Sequence, residues 1–111
     1  MSYSIIATDP FTKKVKRLAK KYKSISLDLR LIIEELEKNP TLGIHLGNDC
    51  YKIRLAISSK GKGKSSGARI ITYVRVVKNT VFLMNIYDKS EQDSISEKEI
   101  KQLISSLTSQ E

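Results

Sequence analysis

Cationic residues at two-residue spacing are the features of this sequence that could do chemistry. Lys52 and Arg54 lie in a stretch that alternates between apolar and polar residues, so both side chains are expected on one face of a strand. Two later strands have the same spacing. If the polar faces coincide, the predicted sheet presents one concave basic patch, made of Lys52, Arg54, Arg69, Tyr87 and Lys89. On these residues alone, a phosphate-binding surface without chemistry is the simpler interpretation.

Several other kinds of site are excluded by residue type and spacing. Gly63-Lys64-Ser65 resembles the end of a P-loop, but the full pattern requires a glycine where Ser58 stands and a helix after the loop. His45 is the only histidine, which excludes histidine-pair acid–base catalysis and multi-histidine metal sites within one chain. Cys50 is the only cysteine, so an internal disulfide and a multi-cysteine zinc site are excluded. The sequence predicts no metal and no cofactor.

The charge is concentrated in two blocks of the chain. The 111 residues have a formal net charge of +8, with 20 Lys and Arg against 12 Asp and Glu. Seven bases and no acid lie between Lys13 and Lys23, and again between Lys52 and Arg75. Such blocks favour one or two positive faces that bind a polyanion. No window approaches the ~20 apolar residues of a membrane span, and we expect one cytoplasmic domain over residues 1–111 that does not bind a membrane.

A strand and two helices are predicted in the first part of the chain. Tyr3–Thr8 is typical of a strand, and Asp9-Pro10 predicts a helix with Asp9 as its N-cap and Pro10 as its first residue. A second helix is predicted from Ser24 or Ser26 to Asn39-Pro40. The short connection between the helices indicates an antiparallel helical hairpin.

The hydrophobic period then changes to two, which predicts a sheet. A helix beginning at Ser96, with Glu99 completing a capping box, follows the strands. The predicted order is therefore β-α-α-β-β-β-α, with a possible extra strand near Ile44–Leu46. The remaining expected segments are a strand over Cys50–Ser58, a flexible basic loop over Ser59–Gly67, a strand over Arg69–Val77, a tight turn at Lys78-Asn79 and a strand over Val81–Asp88.

This order and its motifs resemble the RelE/ParE-like toxins of bacterial type II toxin–antitoxin modules, and most of all the RelE/HigB branch. The motifs that carry the resemblance are Asp49–Leu55, Gly67–Ile71, Val81–Leu83 and Ile86–Glu91, together with the loop Gly61–Arg69. The resemblance implies an α+β fold in which an N-terminal strand and a helical hairpin pack on an antiparallel sheet, with a C-terminal helix. It also implies a cognate antitoxin protein and an enzyme that enters the ribosomal A site and cuts mRNA.

The resemblance assigns family positions to four bases. The family's strand lysine corresponds to Lys52 and its second strand base to Arg54, while the arginine that opens the next strand corresponds to Arg69. The base after the last strand corresponds to Lys89. A tyrosine near the C-terminal helix of some RelE toxins has no counterpart in Asp93–Ser96.

Cleavage of this kind uses the neighbouring 2′-OH as the nucleophile on phosphorus. An ordinary lysine, with a pKa of about 10.4, is a poor base at neutral pH, but nearby cations lower the pKa of an ammonium group. Lys52, beside Arg54 and near Arg69, is therefore the candidate base. The two guanidinium groups suit phosphate oxygens in the transition state, and Lys89 is the candidate acid or a further phosphate anchor.

RNA contacts are expected from two further groups of residues. Tyr87 or Tyr73 is the candidate for stacking on an exposed base. The glycine-rich loop is expected to contact rRNA or mRNA phosphates through Lys60, Lys62 and Lys64.

Two other functions are consistent with the sequence. One is a ParE-like gyrase inhibitor, against which the four bases at RelE-like positions argue. The other is a non-catalytic basic RNA- or DNA-binding module, for which the net charge and the Lys-rich first helix would suffice. Replacing Lys52 and Arg69 by alanine discriminates an enzyme, which loses turnover by orders of magnitude, from a binder, which loses affinity modestly.

Overall fold

Three helices and five strands make up the fold in the computed structural model, which describes residues 2–108. Within that range, no helix is long and apolar enough to cross a membrane. Short 3₁₀ turns lie at Ser58–Lys60, Lys64–Ser66 and Val76–Lys78. The main elements, in chain order, are β1 (Ser4–Ala7), α1 (Asp9–Lys21), α2 (Ile25–Lys38), β2 (Ile44–Gly47), β3 (Cys50–Leu55), β4 (Ala68–Arg75), β5 (Thr80–Asp88) and α3 (Glu97–Thr108).

The strands form a single sheet in the order β1-β5-β4-β3-β2. β1 pairs with β5 in parallel, and the other neighbours are antiparallel. The possible strand near Ile44 is present as β2, at the edge of the sheet. The predicted α+β fold, with an N-terminal strand, a helical hairpin and a C-terminal helix, is confirmed.

Each face of the sheet has its own apolar cluster. The helical hairpin α1–α2 packs on one face, where Phe11 and Leu36 meet Ile70 from the sheet. α3 packs on the other face through Ile100. The sheet residues of this second cluster are Cys50, Ile71, Phe82, Met84 and Tyr87, with the half-buried Leu46 and Tyr73 beside them.

The predicted cap of α1 is displaced by one residue. The N-cap is Thr8 rather than Asp9, because Thr8 is extended and its carbonyl oxygen accepts the hydrogen bond from the Thr12 N–H at 3.0 Å. The Thr8 hydroxyl does not cap the helix and instead donates to the Leu83 carbonyl oxygen of β5 at 2.9 Å. Asp9 therefore lies within the first turn, where a carboxylate still stabilises the helix dipole. At α3 the expected contact is present, since the Ser96 hydroxyl accepts a hydrogen bond from the Glu99 backbone N–H at 3.1 Å.

Two strands end earlier than the sequence pattern predicts. β3 ends at Leu55 because the Asp28 carboxylate accepts hydrogen bonds from the backbone N–H and the hydroxyl of Ser58, which draws the chain towards α2. β4 ends at Arg75, and the predicted tight turn is instead a 3₁₀ turn closed by Asn79 with a φ of 49°. Asparagine tolerates this left-handed conformation better than most residues.

A bulge in β5 decides which side chains reach the α3 face. Ile71 pairs with Asn85 and Thr72 pairs with Leu83, so Met84 is an extra residue in β5. A bulge of this kind changes the alternation of the strand beyond it. Tyr87 consequently lies on the α3 face with Met84, although strict alternation from Leu83 would have placed it on the opposite face.

Candidate active site

The register of the three central strands brings the predicted cations into adjacent positions. Arg54 of β3 lies opposite Arg69 of β4, and Arg69 lies opposite Tyr87 of β5. Side chains at directly opposed positions have Cβ atoms about 5 Å apart. Lys52 lies two residues before Arg54 on the same face, opposite Ile71. We call Lys52, Arg54, Arg69, Tyr87 and Lys89 the cationic row.

Two members of the cationic row have no polar partner among the residues that the structure describes. Arg54 is exposed and Lys52 is half-buried, and neither makes a hydrogen bond or ion pair with another residue among 2–108. Like charges directly opposite each other on a sheet destabilise it. The Arg54–Arg69 arrangement therefore has a cost that an anion between the two guanidinium groups would remove.

Arg69 is a buried cation that contacts neutral oxygens. Its residue exposure is 2%, and Nη1 donates hydrogen bonds to the carbonyl oxygens of Lys64 at 2.8 Å and Ala68 at 3.1 Å. In the described part of the chain no carboxylate forms an ion pair with it. Because carbonyl oxygens orient a guanidinium without neutralising it, Arg69 is a buried positive charge without a counter-ion among the described residues.

Lys89 follows β5 directly and is fixed by three hydrogen bonds. Its backbone N–H donates to the Gly67 carbonyl oxygen at 2.9 Å. Its ammonium donates to the carboxylate of Asp93 at 2.7 Å and to the Asp93 backbone oxygen at 2.6 Å. The hydrogen bond from Lys89 lowers the pKa of Asp93. Asp93 was not among the predicted site residues, although its position four residues after Lys89 is visible in the sequence.

The two candidate stacking tyrosines are placed differently. Tyr87 is only 5% exposed, and burial raises the pKa of its hydroxyl, with Arg69 opposing and Asp93 adding to the effect. Tyr73 packs on Phe82 with ring centroids 6.3 Å apart, and it lies about 13 Å along β4 from Arg69. The structure therefore does not bring Tyr73 to the cationic row, and base stacking by either ring stays a prediction.

The three loop lysines also fall into two groups. Lys62 and Lys64 are exposed. The Lys60 side chain is only 11% exposed, and its ammonium forms an ion pair with Asp88 at 2.7 Å. The loop that contains them has two 3₁₀ turns rather than an irregular path.

A second carboxylate that was not among the predicted site residues, that of Asp28, fixes the chain just before this loop. Asp28 of α2 accepts hydrogen bonds from the Ser58 hydroxyl at 2.6 Å, the Ser58 N–H at 3.0 Å and the Ser24 hydroxyl at 2.8 Å. Burial opposes ionisation, but these hydrogen bonds outweigh it and lower the pKa of Asp28. The chain is therefore tied to α2 at Ser58, directly before the loop.

Neither His45 nor Cys50 lies in the cationic row. His45 is exposed on the edge strand β2 and packs against Tyr51, with ring centroids 5.0 Å apart. Cys50 is fully buried, and burial, with a smaller contribution from Asp49, raises the pKa of its thiol to about 11. Within residues 2–108, no group of three or more His, Cys, Asp and Glu side chains is arranged to bind a metal ion.

The structure is an α+β fold with a row of cations at one end of its sheet, an arrangement whose charge is complementary to phosphate groups. The sequence of residues 11–109 matches the family model described as the RelE toxin of the RelE / RelB toxin–antitoxin system. The chain belongs to this family of RelE toxins. The resemblance read from the motifs is thereby confirmed at the level of the family.

Three solved structures from E. coli have a similar fold. A double mutant of the toxin RelE in its free state has a TM-score of 0.61 at 22% identity, covering 84% of this chain and 90% of its own. The isolated RelE toxin has a TM-score of 0.62 at 21% identity, with 92% and 96% covered. The intact RelBE toxin–antitoxin complex gives 0.62 at 23% identity, with 78% and 96% covered.

Proposed function

We propose that this protein is a ribosome-dependent mRNA endonuclease, the toxin of a type II toxin–antitoxin module, and that residues 1–111 act as one toxin domain. The observation that carries the proposal is the opposed pair Arg54–Arg69, which has no carboxylate partner in the described residues and lies in a chain of the RelE family. Two neighbouring positive charges without a carboxylate favour binding of a phosphodiester, and the exposed guanidinium of Arg54 can donate two parallel hydrogen bonds to phosphate oxygens.

The reaction that we propose is attack of the 2′-OH on the adjacent phosphorus. Lys52 accepts the hydroxyl proton, because it lies beside the guanidinium groups and has no internal partner among residues 2–108. Arg54 and Arg69 stabilise the charge that develops on the phosphoryl oxygens. The P–O bond to the 5′-oxygen breaks as the new P–O bond forms, and Lys89 donates the proton to the leaving oxygen.

We infer dependence on the ribosome because the described residues of this site lack groups that would orient an RNA strand. The cationic row supplies charge and protons but little that would orient a flexible RNA strand, since Tyr87 is buried and Tyr73 is distant. A ribosome that fixes the mRNA in its A site supplies that orientation, and correct orientation contributes a large part of a catalysed rate. The same reasoning gives a metal-independent enzyme, because every proposed role belongs to a side chain of this protein.

The direct test compares mRNA on translating ribosomes with naked mRNA. We expect cleavage between codon nucleotides on the ribosome, products with a 2′,3′-cyclic phosphate and a 5′-OH, and little cleavage of naked RNA. Replacing the nucleotide before the cut by its 2′-deoxy form should abolish cleavage, because the nucleophile is then absent. Metal-dependent cutting of naked RNA at a comparable rate would contradict the mechanism.

The module implies a protein partner as well. A net charge of +8 favours an acidic or amphipathic antitoxin segment, and charge complementarity gives fast association. We propose a complex of nanomolar affinity or better, which corresponds to about 12 kcal/mol of binding free energy. Co-expression of the adjacent gene product should restore growth and co-purify with this chain. Failure of both would remove the support for an antitoxin encoded beside it.

A further inference from the structure

The ammonium group of Lys60 is saturated by contacts within the protein. It donates hydrogen bonds to Asp88 Oδ1 at 2.7 Å, the Ser66 carbonyl oxygen at 2.8 Å and Ser90 Oγ at 3.1 Å. It also lies 4.8 Å from the centroid of the Tyr22 ring, in a cation–π contact. A lysine has three donors, so these contacts leave none for an RNA phosphate.

Asp88 is the centre of this arrangement and is equally saturated. Its side chain is 0% exposed and accepts hydrogen bonds from the Tyr22 hydroxyl at 2.6 Å and from the hydroxyl and N–H of Ser90 at 2.7 and 3.0 Å, besides that from Lys60. Burial opposes its ionisation, but the hydrogen bonds from Lys60, Ser90 and Tyr22 outweigh burial and hold the pKa of Asp88 well below its usual range. The carboxylate therefore remains charged, and it keeps Lys60 charged in turn.

The loop that Lys60 fixes is the support of two members of the cationic row. Lys60 binds the carbonyl of Ser66, and the residues around it supply the Lys64 carbonyl that orients Arg69 and the Gly67 carbonyl that binds the Lys89 N–H. Asp88 itself is the residue between Tyr87 and Lys89, and its side chain is directed to the helical-hairpin side, where Tyr22 lies. A substitution of Lys60 would therefore shift the positions of Arg69 and Lys89, although neither side chain contacts Lys60.

We infer that Lys60 and Asp88 form a positioning pair that sets Arg69 and Lys89 at the spacing a phosphodiester requires, an inference that rests on the proposed function. From the sequence, Lys60 was expected to contact RNA together with Lys62 and Lys64. The structure places Lys60 apart from the other two lysines. All three N–H donors of its ammonium group form hydrogen bonds within the protein, whereas Lys62 and Lys64 are exposed. Lys60 thus acts on the geometry of the site, and Lys62 and Lys64 act on the attraction to the ribosome.

The test compares three lysine-to-methionine variants, because methionine retains much of the length of the side chain and removes the charge. Lys60→Met should lower kcat on programmed ribosomes by about 10- to 100-fold and leave the salt dependence of KM close to that of the wild type. Lys62→Met should mainly raise KM and reduce its salt dependence. Lys101→Met, which breaks the exposed pair with Glu97 on α3, is the control and should behave as the wild type.

Two further measurements distinguish a positioning role of Lys60 from a general contribution to the stability of the fold. Rates are compared at a temperature where every variant is folded, and the double variant Lys60→Met/Asp88→Asn is included because it leaves no unpaired buried charge. The double variant should be more stable than Lys60→Met and still have a reduced kcat. A wild-type kcat in a folded double variant, or a Lys60→Met that changes KM and salt dependence as Lys62→Met does, would overturn the inference.

Amide hydrogen exchange tests the positioning independently of activity. Lys60→Met should increase exchange at the Lys89 amide and at residues 64–69, whereas Lys62→Met should not. If the wild-type protein cuts no mRNA, the proposed function fails while the exchange result still decides whether Lys60 fixes the loop. Unchanged exchange at Lys89 in Lys60→Met would overturn the positioning role even in an active enzyme.

Discussion

Two lysine–aspartate pairs lie around the end of β5, and they differ in burial rather than in length. The buried pair is Lys60–Asp88 and the exposed pair is Lys89–Asp93, and the N···O distance is 2.7 Å in both. In the buried pair the side chains are 11% and 0% exposed, whereas in the exposed pair they are 29% and 96% exposed. Equal geometry therefore coexists with very different surroundings.

The difference shows which lysine can serve a substrate. Both ions of the buried pair have lost their water and depend on each other, so separating them leaves an uncompensated charge in the interior. Asp93 of the exposed pair keeps its water, and such a pair has little net stability. An RNA phosphate can therefore replace Asp93 at Lys89, whereas it cannot replace Asp88 at Lys60.

The largest expected effect is on stability. Asp88→Asn should lower the free energy of unfolding by about 3–5 kcal/mol, because it leaves the Lys60 ammonium buried without its counter-ion. Asp93→Asn, the matched change in the exposed pair, should leave the urea midpoint almost unchanged. Equal shifts of the two midpoints would show that burial does not distinguish the pairs.

The second effect is the acid sensitivity of the fold. The pKa of Asp88 is lower in the folded than in the unfolded protein, so its stabilisation is complete above the unfolded pKa of about 3.9 and is lost as the pH falls towards the folded value. We expect the free energy of unfolding to fall steeply below about pH 4. In Asp88→Asn the slope that remains should be shallower, since only Asp28 and other carboxylates titrate. Identical slopes would contradict the assignment.

The smallest effect is on ribosome binding by Lys89. Asp93→Asn removes a carboxylate that competes with phosphate for this ammonium, so the dissociation constant for ribosomes should fall, by no more than about fivefold. The effect should vanish at high salt, because an exposed pair is screened. Asp93→Glu, which retains the charge, is the control. Weaker binding in Asp93→Asn would mean that Asp93 orients Lys89 for the substrate instead.

Local patterns predicted the strands and the face of the cations, because alternation at Lys52 and Arg54 is a property of neighbouring residues. They did not predict the burial of Lys60, since a lysine in a glycine-rich loop is buried only by meeting Asp88, 28 residues away. The same limit applies to the β5 bulge at Met84, which depends on the pairing with β4.

Gly67 has a structural role that the sequence pattern does not indicate. In the sequence it is one of several glycines that mark a flexible loop. In the structure a Cβ at this position would collide with the Leu55 carbonyl of β3, so the glycine permits the loop end to approach the strand closely. Its own carbonyl then binds Lys89. Sequence alone shows the freedom of a glycine and not the neighbour that requires it.

The central claim is that the cationic row performs chemistry rather than binding alone. The most direct measurement is single-turnover cleavage on programmed ribosomes for Lys52→Ala and Arg69→Ala, with ribosome affinity measured on the same preparations. We predict that the cleavage rate falls by about 10²- to 10⁴-fold while the dissociation constant changes by less than about tenfold. Modest and equal losses of cleavage and affinity in both folded variants would contradict the claim and indicate a basic nucleic-acid-binding module.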